Sequence, residues 1–189
     1  LVRMKTPIDK ALATLIYTGI LTDTGSFRFA NTNQATFAIC LEMVAKGVRP
    51  HEVARHVYGT YSLGRIKLLN LALDSIEIVG NGKLSIMTVT REMLRQTGTQ
   101  PEDADGLINY ARRVEDVRVA ALIQELQNGS DATQNRHRYH VSLRSDGSVD
   151  VAAVAVFYGG GGHQSAAGFR IEAPLYEVKT QIAQLAEKL

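Results

Sequence analysis

The 189-residue chain has a single cysteine, no internal repeat, no low-complexity tract and no apolar run approaching the roughly 20 residues that a membrane-spanning helix needs. One cysteine excludes an internal disulfide framework. Cys40 sits in the apolar stretch Phe37-Ala38-Ile39-Cys40-Leu41 and reads as a buried structural thiol rather than a nucleophile. The opening residues Leu1 to Pro7 lack a signal-peptide layout, so the expectation is a soluble, intracellular, cytoplasmic protein with no membrane partner. A large charge excess of either sign is also missing, with 21 Lys and Arg against 19 Asp and Glu. Residues 1–99 carry 12 basic and 7 acidic side chains, and residues 100–189 carry 9 and 12. The C-terminal half therefore does not supply the broad basic surface of a sequence-independent duplex binder, and a small phosphorylated ligand or a short nucleic-acid end fits better. Arginines outnumber lysines 14 to 7, in keeping with bidentate phosphate recognition.

What the chain does have is Gly159-Gly160-Gly161-Gly162-His163, continuing Gln164-Ser165-Ala166-Ala167-Gly168-Phe169. Consecutive glycines can take positive φ and turn several amides toward one point, which makes a phosphate cradle, and His163 adds a side-chain donor. The small residues Ser165, Ala166 and Ala167 are expected to open a short helix whose amides reinforce the attraction for an anion. A flexible glycine loop is the plainer alternative. The histidine, the small residues and the apolar strand Phe169-Arg170-Ile171 that follow argue against it.

Thr6-Pro7-Ile8-Asp9 predicts a helix start, with Leu12, Leu15, Ile16 and Ile20 at helical spacing over residues 7 to about 21. A second helix is capped by Thr32 or Asn33, carries Phe37, Leu41 and Val44 and stops at Gly47; a third runs from Pro50 to about Val57. The break Tyr58-Gly59-Thr60-Tyr61-Ser62 marks a domain boundary near residue 60, and a helix from Leu63 to about Leu73 follows. Strands Ser75 to Val79 and Lys83 to Thr90 flank Gly80-Asn81-Gly82, a hairpin turn. Pro101 to Ala111 reads as a helix, Val117 to Leu126 as a buried strand, and Arg136 to Arg144 as its alternating neighbour after a polar loop. Residues 150–157 and Pro174 to Leu189 read as helices. The fold class is α/β: helices over residues 1–60, then, over 61–189, a mixed sheet flanked by helices.

Alternation puts Arg138, His140, Ser142 and Arg144 on one face of their strand. A solvated edge strand is the alternative reading of that polar face. His137 and His140 fall on opposite faces, which argues against a metal site between them. Asp23 ends the first helix, where a side chain is held by a scaffold yet faces solvent. Asp23-Thr24-Gly25-Ser26 spells the tetrad of aspartic proteases, but a helix leads into it and no second copy exists to share a proton. Asp23 is then a metal ligand or a turn residue bonding its own backbone. The aromatic residues near the glycine run, Tyr139, Phe157, Tyr158 and Phe169, read as core and do not form a stacking ladder for long single strands.

Taken together, Tyr17-Thr18-Gly19-Ile20-Leu21-Thr22-Asp23-Thr24-Gly25-Ser26-Phe27, Asn109-Tyr110-Ala111-Arg112, Val141-Ser142-Leu143-Arg144-Ser145 and the Gly-Gly-Gly-Gly-His-Gln-Ser-Ala-Ala-Gly-Phe run resemble the DHH phosphoesterase superfamily with its associated C-terminal domain. Bacterial nanoRNase and pAp phosphatase enzymes are the group it looks most similar to. That resemblance implies hydrolysis of short oligoribonucleotides, dinucleotides or adenosine 3′,5′-bisphosphate (pAp) by a pair of manganese ions, with a homodimer left open. It implies Asp23 as catalytic metal ligand, and Arg144, Ser145, Gly159, Gly160, Gly161, Gly162 and His163 as substrate-binding residues. The sequence departs from the superfamily in having no Asp-His-His and no Asp-x-Asp after an N-terminal strand; its histidines are His51, His56, His137, His140 and His163. The expectation is therefore a fragment that binds nucleotide phosphate and hydrolyses little or nothing alone. A non-catalytic nucleotide-binding module and a fragment of a RecJ-like single-strand exonuclease are the alternatives.

Overall fold

The computed structural model describes residues 7–131 and 136–185, and the chain divides into two compact units, residues 1–60 and 61–189. The first unit is helical: α1 (Lys10–Asp23), α2 (Gln34–Ala45) and α3 (Pro50–Tyr58). Asp9, rather than the expected Thr6-Pro7 pair, caps α1, its Oδ1 accepting from the Leu12 N–H at 2.8 Å; Thr6 lies outside the described residues. Asn33 caps α2 in a reciprocal box with Thr36. The core of this unit is Ala13, Tyr17, Leu21, Cys40, Met43, Val48 and Val53. Ile16 and Ile20 of the expected α1 stripe pack against this core, but other members of the expected stripes do not. Leu15 is 70% exposed and Leu41 71%, while Phe37 and Val44 also face outward. Cys40 is buried as expected, and that burial pushes its thiol pKa up.

The second unit opens with α4 (Leu63–Asp74), then β1 (Glu77–Val79) and β2 (Leu84–Val89) as an antiparallel hairpin. Gly80, Asn81 and Gly82 all have positive φ in its turn. There follow α5 (Arg91–Thr97), which the sequence reading did not anticipate, and α6 (Ile108–Ala111). The single helix expected over Pro101 to Ala111 is broken: Pro101–Ala104 is a 3₁₀ turn, and Gly106, at φ +83°, interrupts the chain before α6. Then come β3 (Val119–Asp131), β4 (Arg136–Ser145), α7 (Val151–Phe157), β5 (Gly161–His163), β6 (Ala166–Ala173) and α8 (Leu175–Leu185). Residues 132–135 of the anticipated polar loop, and the end of the last helix, lie outside the described residues.

The strands form one mixed sheet in the order β1-β2-β3-β4-β6-β5, with β2 and β3 parallel and the remaining pairs antiparallel. One face is covered by α7 and α8, whose Val151, Ala155, Val178 and Ile182 pack on Leu84, Ile86, Ile123, Val141, Leu143, Ala167 and Phe169. The other face carries a second core in which α4, α5 and α6 cover Met87, Val89, Ala120 and Leu122. That second layer stops at β3. On the same face, β4 and β6 present the half-exposed His140, Ser142, Arg144 and Gly168 instead of apolar side chains. The α/β expectation holds. Among the described residues no helix is long and apolar enough to cross a membrane.

Candidate phosphate-binding site

The glycine run does not form one continuous cradle. Its first half terminates α7: Gly159 has φ +75°, its N–H donates to Val156 O at 2.9 Å, and the Gly160 N–H donates to Ala155 O at 2.8 Å. This is the glycine helix stop in which the two residues past the cap satisfy the last carbonyls. Those two amides are therefore engaged in the helix. A Cβ at Gly160 would come within 2.6 Å of Phe169 Cβ and closer still to the Gly168 carbonyl, so the chain passes directly against β6 there. The second half enters β5, whose three residues are all exposed, the outermost strand of the sheet. Among the described residues its outward row of backbone groups has no strand beside it and is open to an anion. The short helix expected after His163 is absent. Gln164 and Ser165 form a hairpin turn and Ala166 begins β6. Two bonds pin that turn: Val151 N–H to Gln164 O at 2.9 Å and Ser145 N–H to Ser165 O at 3.0 Å.

Register brings the predicted residues together. Arg144 on β4 pairs with Ala166 on β6, and Ala166 pairs with His163 on β5. Paired residues share a face, so Arg144, Ala166 and His163 form one row on the face that α4, α5 and α6 leave uncovered. Arg144 Nη1 donates to Leu143 O at 2.9 Å, which fixes the guanidinium against its own strand. Burial, and secondly the neighbouring charge of Arg112, pull the Arg144 pKa below its ordinary value. Among the described residues no carboxylate pairs with Arg112 or Arg144. Two guanidiniums close enough to repel, one of them half-buried and neither neutralised, make a place where an anion is strongly favoured. Arg112 is a candidate site residue that site reasoning from sequence left out; its place two residues from Tyr110, in a motif already singled out, was the available signal.

Ser145 is not brought into this row. It falls on the opposite face, is 2% exposed, and its Oγ accepts from the Gly147 N–H at 2.8 Å, which shapes the turn after β4. The aromatic residues also divide. Tyr139 and Phe169 are buried, and Tyr158 stacks on Phe169 with centroids 4.4 Å apart, but Phe157 is 83% exposed rather than core. A cavity of about 550 Å³ lies elsewhere in this unit, lined by Arg91, Glu92, Arg95, Thr99 and Glu125 among others. Its charges are already matched, Arg91 Nε to Glu125 at 2.9 Å and Arg95 to Glu92 at 2.6 Å, unlike those of Arg112 and Arg144.

Asp23 is the last residue of α1 and is exposed. Asn31 Nδ2 donates to its Oδ2 at 3.1 Å and to its backbone oxygen at 3.3 Å. The turn beyond it is tightly wound: Gly25, Ser26 and Phe27 have φ of 56°, 60° and 62°. Left-handed backbone costs a non-glycine residue roughly 1–2 kcal/mol. Two contacts hold it in place, the Phe27 N–H donating to Thr24 Oγ1 at 3.1 Å and the Phe27 ring stacked on Phe37 at 5.3 Å. Asp23 is thus a positioned, solvent-facing carboxylate. Among the described residues no three of His, Cys, Asp and Glu gather into a set suited to a metal ion. A centre of paired manganese ions needs several oxygen and nitrogen donors around each ion. The residues present do not by themselves fit such a centre.

Comparison with known proteins agrees with this architecture. Over 157 residues the chain is 32% identical to the "Bifunctional oligoribonuclease and PAP phosphatase NrnA" of Thermus thermophilus, an alignment covering 83% of this chain and 44% of that protein. The protein of the same name from Bacillus subtilis is 28% identical over 164 residues, 87% of this chain and 49% of its own length. The chain spans about half the length of these curated relatives. Among solved structures, an exopolyphosphatase-related protein from Bacteroides fragilis superposes with a TM-score of 0.86 at 27% identity, covering 96% of this chain and 51% of that one. The DHHA1 domain model matches residues 81–189, which include β2 to β6, the Arg144 row and the whole glycine run. The chain belongs to the DHHA1 domain family, within the DHH superfamily that its glycine-histidine motif resembled.

Proposed function

We propose that this chain is the nucleotide-holding part of a phosphoesterase that acts on short oligoribonucleotides or pAp. The observation that carries the reading is the Arg144–Ala166–His163 row, with Arg112 beside it and, among the described residues, no carboxylate paired with either arginine. In this reading the Arg144 guanidinium, anchored through Leu143 O, presents its remaining N–H groups to two oxygens of one phosphate. His163 and the outward amides of β5 approach the same phosphate from the sheet edge, so the ligand is oriented by fixed donors rather than mobile side chains. The names of the relatives support the substrate class.

Asp23 is proposed as one ligand of a manganese centre whose other donors these residues do not provide. The chain alone is accordingly expected to bind without hydrolysing. Calorimetric titration of the 189-residue chain with AMP, pAp and a linear dinucleotide, with and without manganese, tests this. Measurable binding by the chain, weakened in Arg144→Ala, is expected. Unchanged affinity in Arg144→Ala rejects the site, and manganese-dependent phosphate release by the purified chain rejects the binding-only role.

A further inference from the structure

The uncovered face of β4, β6 and β5 continues beyond the Arg144 row. Register gives a next row of Ser142, Gly168 and Gly161, then His140 and Arg170 beside Gln124 of β3, and then Arg138 and Glu172. Apart from the Ser142 hydroxyl, the first of these rows has no side chain, so it is a flat floor between two cationic rows. The imidazole of His140 leans over that floor. A Cβ built on Gly168 would lie 3.3 Å from His140 Cε1 and 3.4 Å from Nε2, so the glycine is what leaves the ring its place.

The charges around the floor are one-sided. His140 stands between Arg170 and Arg144, and after burial those two charges are what lower its proton affinity. Among the described residues no carboxylate pairs with Arg170 or Arg144. The acid that register places nearest on this face, Glu172, is held by Arg138 at 3.4 Å, and Gln124 is turned to Pro101 O at 2.8 Å. A fold that gathers two guanidiniums and an imidazole over bare backbone, with the adjacent acid engaged elsewhere, is stabilised when an anion occupies the gap. At the backbone, Arg170 lies four residues along β6 from the Arg144 row, roughly 13 Å at strand rise. Register sets Arg170 two paired rows beyond Arg144, across the bare Gly168 row.

We propose that His140 and Arg170, over the Gly168 floor, form a second phosphate subsite distinct from the Arg144–His163 row. The pair of subsites selects nucleotides that carry two separate phosphate groups over nucleoside monophosphates. This rests on the Arg144 row holding the first phosphate, as read above. Sequence alternation pointed to Arg138, His140, Ser142 and Arg144 as a set; the partner strand supplies Arg170 and splits that set into separate rows.

The test is titration of the 189-residue chain with two probes, AMP and pAp. Wild type is expected to bind pAp at least tenfold more tightly than AMP. Arg170→Ala and His140→Gln are each expected to lose most of that ratio while holding AMP affinity within about twofold, and Arg170→Lys to recover part of it. Arg170 is exposed, so its replacement does not threaten the fold. A pAp to AMP ratio unchanged in both Arg170→Ala and His140→Gln overturns the subsite. Arg144→Ala separates the two readings: if it leaves AMP affinity intact the first row fails, whatever the Arg170 variant does. If it abolishes AMP binding while Arg170→Ala has no effect on the ratio, only the second subsite fails.

Discussion

Removing the Arg144 guanidinium or the His163 imidazole takes one donor from the phosphate row, and the expected loss in AMP affinity is about 1–3 kcal/mol for each. Calorimetry on the two alanine variants reads it directly, and far-UV circular dichroism should show the fold intact. Gly160→Ala is different in kind. Its Cβ would run into β6 near Phe169, and the backbone must shift, so a stability loss of about 1–3 kcal/mol is expected in urea melts. Tyr139 titrates oddly as well. Burial, and secondly the Glu125 charge, push its hydroxyl up to about 12 from the usual 10. The unfolded chain therefore releases this proton first, and stability should fall as pH rises from about 10 to about 12, with no change from this group below. Tyr139→Phe should flatten that part of an alkaline unfolding profile. Arg144 and His163 were legible in the sequence because their residue types and neighbours are unusual. Arg170 and Phe157 were not, since a strand arginine and a helix-end phenylalanine acquire meaning only once the neighbouring strand and the uncovered surface are known.

The helix that leads into the glycine run is short, seven residues, and depends on both its ends. Asp150 caps it, its Oδ1 accepting from Ala152 N–H at 2.9 Å and Ala153 N–H at 3.2 Å. Asp150→Ala is expected to cost about 1 kcal/mol in thermal or urea unfolding. Most elements could be read from caps, turns and periodicity: the Gly80-Asn81-Gly82 hairpin, the Pro50 start and the alternation of β4 all stand where those signals put them. The failures have a common cause, which is that local signals do not report tertiary partners. Four glycines before a histidine look like one loop, yet α7 takes the first pair and β6 pairs with the second. Ser165-Ala166-Ala167 suits a helix by propensity, but facing β4 it becomes turn and strand. The apolar spacing in α1 and α2 left the buried stripe ambiguous because residues such as Leu15 and Leu41 add apolar surface beyond the faces that pack.

Two of the three apolar cores lie wholly within residues 61–189 and the third wholly within 1–60. A chain of residues 61–189 is therefore expected to melt cooperatively on its own and to bind AMP within about threefold of the 189-residue chain, as followed by circular dichroism and calorimetry. Loss of binding in that shorter chain would show that the phosphate row needs residues 1–60. The division near residue 60 was visible as a break in periodicity at Tyr58 to Ser62, whereas the order of the strands, which decides what faces what, left no local trace. The way α7 stops has one more consequence. The Gly160 N–H is the last tie of that helix, and the next residue starts the edge strand. A ligand that grips the edge also damps the fraying of the helix behind it. Amide hydrogen exchange at Gly159 and Gly160 should slow when nucleotide binds, although neither proton touches the ligand, and a helix loosened by Asp150→Ala should give up part of its binding free energy to re-forming that last turn.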